Sequence, residues 1–330
     1  MDWGTIFDNS ISQMVRPLTA VFALAAIGLN VHFGYTGLLN FGQIGFMAVG
    51  AYGVAISVLE FGVPLWVGVL IGIGAAVALA ALLGIPTLRL RADYLAIVTI
   101  AMSEILRLVA RSRTAEPLTR GVFGIQRFAV DFYDVNPISR GLYGWGRFSF
   151  SHRQLWVMTC GWALVALATV LMRLLVRSPW GRVLKAIRED EDAARSLGKS
   201  VFAFKLQSLI IGGVMGAFAG MLLAFDQQSV NPDAFNATLT FYAFAIVIIG
   251  GAGTVFGPII GSVIFWFLLS ATDSLLRQGI RDDFVLVRWL ETSDSAAVRF
   301  ALVGLVLILL MTFRPQGIFG DRREVRLDDR

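Results

Sequence analysis

Few side chains in this sequence are equipped for chemistry, and most of those stand alone. The two histidines, His32 and His152, are far apart, and neither has a cysteine or carboxylate at metal-ligand spacing. A metal site is therefore not expected. The single cysteine, Cys160, lies in an apolar run and reads as core packing, which excludes an internal disulfide framework. The sequence has no Gly-x-x-x-x-Gly-Lys-Ser/Thr phosphate loop, no Gly-x-Ser-x-Gly elbow and no paired-histidine motif. It offers an enzyme no nucleophile, metal cluster or acid–base pair. Uphill movement of a solute would need its energy from another chain.

Two charged constellations remain. Glu104 and Arg107 lie three apart in an otherwise apolar tract, so on a helix they share a face and can neutralise each other. A lone charge at the bilayer centre costs about 2.5–3.5 kcal/mol or more. The pair reads either as a gate or structural ion pair, or as snorkelling, with Arg107 and Arg111 reaching headgroups. The second constellation is Ser178 to Lys205, SPWGRVLKAIREDEDAARSLGKSVFAFK, a charge-dense island between two apolar tracts that holds all three lysines. Ser178 and Pro179 read as N-cap and first helical residue, because a hydroxyl can accept an orphan amide and proline lacks one. Arg188 with Asp192 and Glu191 with Arg195 are four apart, and such pairs contribute about 0.2–0.5 kcal/mol each. Val183, Leu184, Ile187, Ala194 and Leu197 form a contrasting apolar strip, and Gly198 stands where a left-handed cap needs no Cβ. The spacing predicts one or two short amphipathic helices outside the bilayer that offer Ala193 and Ala194 to something. The alternative is a solvated loop joining two spans.

The elements that position these groups follow from composition. Of 330 residues 56% are hydrophobic and 15% charged, far below the roughly 25% charged of soluble proteins. With a mean hydropathy of +0.71 this is an all-α polytopic membrane protein. The stretch before the first span carries Asp2 and Asp8 and a single basic residue, so it does not resemble a cleavable signal, and that span is expected to remain in the mature protein. At about 20 apolar residues per crossing, nine spans are counted, with eight to ten as the range. Leu18–Leu59 holds two, broken near Gly34 to Gly42. Phe61–Leu88, Tyr94–Ala110, Leu155–Met172 and Leu206–Phe225 hold one each. Ala234–Thr272 holds two, interrupted at Gly250 to Gly257, and Ala296–Phe313 closes the count. The formal charge of +5 lies mostly in loops, where it orients the chain against headgroups, so lipid is expected as a partner and nucleic acid is not. Residues 1–330 read as one transmembrane domain. The island 178–205 and the tail 314–330 are placed inside, and the loops 112–153 and 273–295 fall outside by parity.

Glycine is concentrated in GYTGLLNFGQIGFMAVGAYG and GGAGTVFGPIIG. Backbone can leave the helix there if it is buried or lines a cavity, and paired glycine-broken segments point to a transporter's binding site. On that reading Gly37, Asn40, Gln43, Asn231, Gly251 and Gly253 line a solute pathway. Each polar side chain could equally satisfy a neighbouring backbone group. Gly212, Gly216 and Gly220, and Gly68, Gly72, Ala76 and Ala80, repeat every fourth residue as packing faces do.

At this point the residues resemble a known family. DAARSLG, Asp192 to Gly198, is similar to the Glu-Ala-Ala-x-x-x-Gly signature of bacterial ABC-importer permeases, with aspartate in place of glutamate. GLLNFGQIGFMAVGAY, RADYLAIVTIAMSEILR, WGRVLKAIREDEDAARSLG, GGAGTVFGPIIG and FRPQGIFG resemble the branched-chain amino acid permeases, most closely the LivM type. The likeness runs from Leu18 to Gly320 and is weakest over Asp273 to Ser295. It implies a bacterial inner-membrane importer built from two permease subunits, two cytoplasmic ATPases and an extracytoplasmic solute-binding protein. This chain would be one permease and would bind no cofactor itself, since ATP and magnesium belong to the ATPases. The matched segment, with Arg182, Lys185, Arg188, Asp192, Ala193, Ala194 and Gly198, would be the cytoplasmic coupling helix that docks on an ATPase. Urea and short-chain amide permeases share these motifs and are the alternative. A passive channel or secondary carrier would need coupling-ion ligands at the midplane, where Glu104 is the one carboxylate.

Overall fold

A computed structural model of the chain describes residues 3–88, 92–145, 148–281, 295–314 and 316–320. The apolar tracts become helices because inside a bilayer each backbone N–H and C=O must find its partner within the segment. Helix α1 (Trp3–Val15) is followed by α2 (Pro17–Asn30), which runs on into a π-helical turn, Val31–Tyr35. Then come α3 (Gln43–Phe61), α4 (Leu65–Thr87) and α5 (Ala92–Arg111). The segment from 112 to 151 holds two short helices, α6 (Glu116–Thr119) and α7 (Val130–Asp134), and strands β1 (Ile125–Gln126), β2 (Leu142–Trp145) and β3 (Phe148–Ser151). Next are α8 (His152–Arg177), α9 (Pro179–Glu189), α10 (Glu191–Ser196), α11 (Val201–Gln227) and β4 (Ser229–Val230). The chain closes with α12 (Thr238–Gly250), α13 (Gly257–Arg281) and α14 (Ser295–Phe313).

Among the described residues seven segments are long and apolar enough to cross a membrane, built on α2, α3, α4, α8, α11, α12 and α13. The sequence counts nine, and the other two are α5 and α14, of 20 and 19 residues. Helix α5 falls outside the seven because Asp93, Glu104, Arg107 and Arg111 interrupt its apolar run. Both glycine-rich breaks are present, at 36–42 and 251–256. Helix α1 has no counterpart in the sequence count, because 13 residues are too few for a span; it packs against α13 instead.

Helix directions alternate, so the two ends of the bundle carry different parts. The near end holds α9 and α10, both glycine-rich breaks and the end of α14. The far end holds the 112–151 segment, tied back to the bundle by antiparallel pairing of β1 with β4 and by an Arg120–Glu60 ion pair at 2.5 Å. Of the region 273–295, residues 282–294 lie outside the described set, as do Pro315 and residues 321–330 of the tail.

The core is built around α2, 89% of whose span is buried against 33% for α8 and α13, so α2 is central and those two flank it. Helix α11 lies against α2, α3 and α4. Its every-fourth-residue glycines permit this: a Cβ on Gly216 would sit 2.7 Å from the Gln43 amide, and one on Gly220 would overlap the Met47 carbonyl. Phe22 and Trp266, with ring centres 5.2 Å apart, and Tyr242 and Phe265, 5.4 Å apart, join α2, α12 and α13.

Candidate functional site

At the near end the charged island folds as two helices separated by one residue. Pro179 takes the first helical position, as expected, but the Ser178 hydroxyl donates to the Leu175 carbonyl at 2.6 Å rather than capping α9. Helix α9 stops at Asp190, which turns extended (φ −152°, ψ 107°). Its carboxylate accepts the amides of Asp192 and Ala193, each at 2.9 Å, and so starts α10. The predicted Arg188–Asp192 pair is not formed, because the helix that would have aligned them is broken between them. Asp192 pairs with Arg195 at 3.2 Å, while Glu191 meets Arg195 at 2.9 Å, as its spacing predicts, and also holds Lys205. Gly198 closes α10 with φ +75°. Its N–H donates to the Arg195 carbonyl at 2.9 Å and that of Lys199 to the Ala194 carbonyl at 3.2 Å, the bond pair of a Schellman cap.

One face of the island is locked inward. Leu184, Ile187 and Ala194 are buried, and Ile187 and Ala194 pack with Val201 of α11. Trp180 adds a 2.9 Å bond to Gln207. Of the two alanines expected to face a partner, Ala193 faces outward and Ala194 does not, since residue 194 falls on the strip that α11 covers. Leu197, grouped by its spacing with the apolar strip, is 78% exposed because it comes after the last turn. The outward surface comprises Arg182, Lys185, Ala193, Leu197 and Gly198.

Arg188 belongs to neither face. Its side chain crosses Gly37, where an added Cβ would lie 3.3 Å from Arg188 Cγ, and Nη1 donates to the Gly34 carbonyl at 2.5 Å. That carbonyl ends the first broken helix, where unpaired carbonyls and the helix dipole favour a cation. A hydrogen bond to a charged group is worth about 1.5–3 kcal/mol. The same nitrogen lies 3.1 Å from the place a Gly253 Cβ would take, so the guanidinium touches the second break as well. Asn30, at the end of α2, ties the first broken helix to the second break: its Nδ2 donates to the Thr254 carbonyl and its Oδ1 accepts the Gly253 amide, both at 2.8 Å. A cavity of about 240 Å³ beside this junction is lined by Thr36, Gly37, Leu88, Arg188, Glu191 and Lys205. The second break has a further partner, the FRPQGIFG segment. The amides of Ile318 and Phe319 donate to the carbonyls of Ile249 and Gly250 at 3.0 and 3.1 Å, satisfying groups left open where α12 ends.

The remaining pathway candidates are distributed through the bundle. Asn40 and Gln43 are fully buried. His32 Nε2 lies 3.2 Å from the Leu209 carbonyl, which can only accept, so the proton is on Nε2 and Nδ1 accepts from Asn40 at 3.0 Å. Asn40 in turn accepts the Gly42 amide at 2.9 Å, and Gln43 donates to the Gly212 carbonyl at 3.1 Å. Both amides are thus engaged with their own chain. Asn231 is at the far end, where it accepts the Ala234 amide at 2.8 Å, whereas Gly37, Gly251 and Gly253 lie at the near end. The structure therefore does not gather the six into one site.

Glu104 and Arg107 form a two-bonded pair, at 2.6 and 2.9 Å. Arg107 also meets Asp233 at 2.9 Å, and Arg111 meets the same carboxylate at 3.2 Å. Glu104 and Arg107 are thus an ion pair, and both arginines also meet Asp233 at the far end.

With this geometry in hand, similarity to known proteins decides the family. The family profile described as "Branched-chain amino acid transport system / permease component" matches residues 14–311. The chain belongs to that family. It is 33% identical over 314 residues to the high-affinity branched-chain amino acid transport system permease protein LivM of Escherichia coli K12, covering 92% of this chain and 69% of that one. The probable LivM permease of Methanocaldococcus jannaschii is 26% identical over 351 residues, covering 94% and 93%. The LivH permease of Escherichia coli K12 is 24% identical over 328 residues, covering 94% and 95%. Among solved structures, PsaBC from Streptococcus pneumoniae in complex with Fab aligns with a TM-score of 0.40 and 18% identity over 90% and 89% of the two chains. This permease is thus a multi-pass protein of the bacterial inner membrane whose relatives are transporter subunits and not enzymes.

Several residues that organise the permease escape sequence reasoning. Asp190 stands one residue before an acidic first turn, a capping signal hidden among the other charges of the island. Asn30, His32 and Asp233 carry no local pattern, because their partners lie far along the chain.

Proposed function

We propose that this permease forms part of the solute route of an ATP-driven importer of branched-chain amino acids, and that α9 and α10 dock on a separate cytoplasmic ATPase. The observation that carries the reading is the two-sided island. Its inner face is fixed to α11 and the helix breaks, while its outer face leaves Leu197 bare between Ala193 and Gly198. A bare leucine rimmed by polar residues suits a groove on another protein, where an apolar centre sits inside a polar rim. The near end is then cytoplasmic. A second, related permease completes the route, and an extracytoplasmic binding protein delivers solute to the far end. ATP and magnesium act on the ATPases, and the identity to the LivM relative supports branched-chain amino acids as the solute class.

The test is reconstitution of the complete importer in proteoliposomes, with labelled leucine outside and ATP at the near end. ATP-dependent uptake is expected. Leu197→Arg is expected to leave the fold of the permease intact and to abolish uptake together with co-purification of the ATPase. Gly198→Val, which forces a β-branched residue to φ +75°, is expected to do the same. Leucine uptake by the permease without any ATPase overturns the proposal in favour of a passive channel.

A further inference from the structure

We infer that Arg188 is the positioning residue through which movement of α9 and α10 is passed to both helix breaks. The inference rests on the reading of α9 and α10 as the part that moves with the ATPase. The family resemblance groups Arg188 with residues facing that partner, whereas the structure turns its guanidinium the other way. Although the residue is exposed overall, Nη1 is bonded at 2.5 Å to a main-chain carbonyl and not to a side chain. A pull on α9 therefore acts on the backbone of the first broken helix directly. The second break must follow, for two reasons. A Cβ on Gly34 would overlap the Gly253 amide, so the two backbones are in contact, and Asn30 fastens them with two bonds of 2.8 Å. Gly253 also abuts the guanidinium itself, 3.1 Å from the position of its missing Cβ. One cation thus holds the open end of the first discontinuous helix and abuts the second break, which Asn30 ties to that helix where the backbone can turn. Loss of Arg188 would leave α9 packed through Leu184 and Ile187, yet without its hold on the carbonyl of Gly34.

The experiment uses the complete importer in proteoliposomes and measures leucine uptake and ATP hydrolysis in the same preparation. Arg188→Gln is expected to keep its ATPases and to hydrolyse ATP, but to lower leucine moved per ATP by about tenfold. Arg188→Lys is expected to recover part of that ratio, since an ammonium can reach the carbonyl without bridging both breaks. An unchanged ratio in Arg188→Gln overturns the inference. So does a parallel loss of uptake and hydrolysis with shedding of the ATPases, which would make Arg188 a merely structural contact. Failure of the wild-type importer to need ATP would instead overturn the proposed function.

Discussion

Asp233 shows how a residue with no motif can join a pair that has one. Glu104 and Arg107 are visible as an i,i+3 pair, but spacing along α5 cannot separate a structural pair from two side chains reaching outward. The third partner, Asp233, comes from the turn before α12 and fixes Arg107 between two carboxylates. Arg107→Ala would leave Glu104 and Asp233 without their shared cation. Because both acids are partly exposed, screening reduces the cost, and a loss of about 1–2 kcal/mol is expected, read as a fall in the thermal midpoint of the purified permease. Arg107→Lys should lose less, keeping the charge but not the fork. The buried amides teach a related lesson. Asn40 and Gln43 stand out by their place beside glycines. Their partners, the ring of His32 and the carbonyl of Gly212, are not legible because they depend on how α2, α3 and α11 meet.

At the scale of elements, each of the nine tracts picked out by hydropathy is a helix, seven of them long and apolar enough to cross, and glycine locates both breaks, since each signal is local. What fails is helical register within the charged island. A single helix would carry Arg188 and Asp192 in phase, and the turn at Asp190 removes that phase. Asp190→Ala is expected to cost about 1 kcal/mol and to fray α10, measurable as faster hydrogen exchange at Asp192 and Ala193 with the transmembrane helices unaffected. The docking of 316–320 on α12 is equally hidden, for these residues fall in the stretch read from the sequence as a tail. Gly317→Val places a branched side chain at φ +73° against Gly251 and loosens the cap over Ile249 and Gly250. Each carbonyl so exposed costs about 1–3 kcal/mol, and the expected readout is a lower thermal midpoint together with proteolysis after α14.

For the whole molecule, α11 is the element on which the arrangement turns. It receives the chain directly from α10 and lies against α2, α3 and α4. Gly220→Val would drive a branched side chain into the Met47 carbonyl and part α11 from α3. Overpacking of this kind costs about 1–3 kcal/mol or more, and a loss of monodisperse protein in detergent is the expected measurement. The small-residue spacing announces that a close approach exists, while the neighbours approached are set by topology, which no local pattern contains.

The cap over α12 also constrains how the permease is made. The carbonyls of Ile249 and Gly250 leave the ribosome well before the amides of Ile318 and Phe319 exist. Helices α13 and α14 are made in between, so this turn waits open through much of biogenesis. A messenger truncated just after α14 would yield a chain able to insert but not to finish closing. Quality-control proteases would then find their mark at the same loop that the finished protein holds shut.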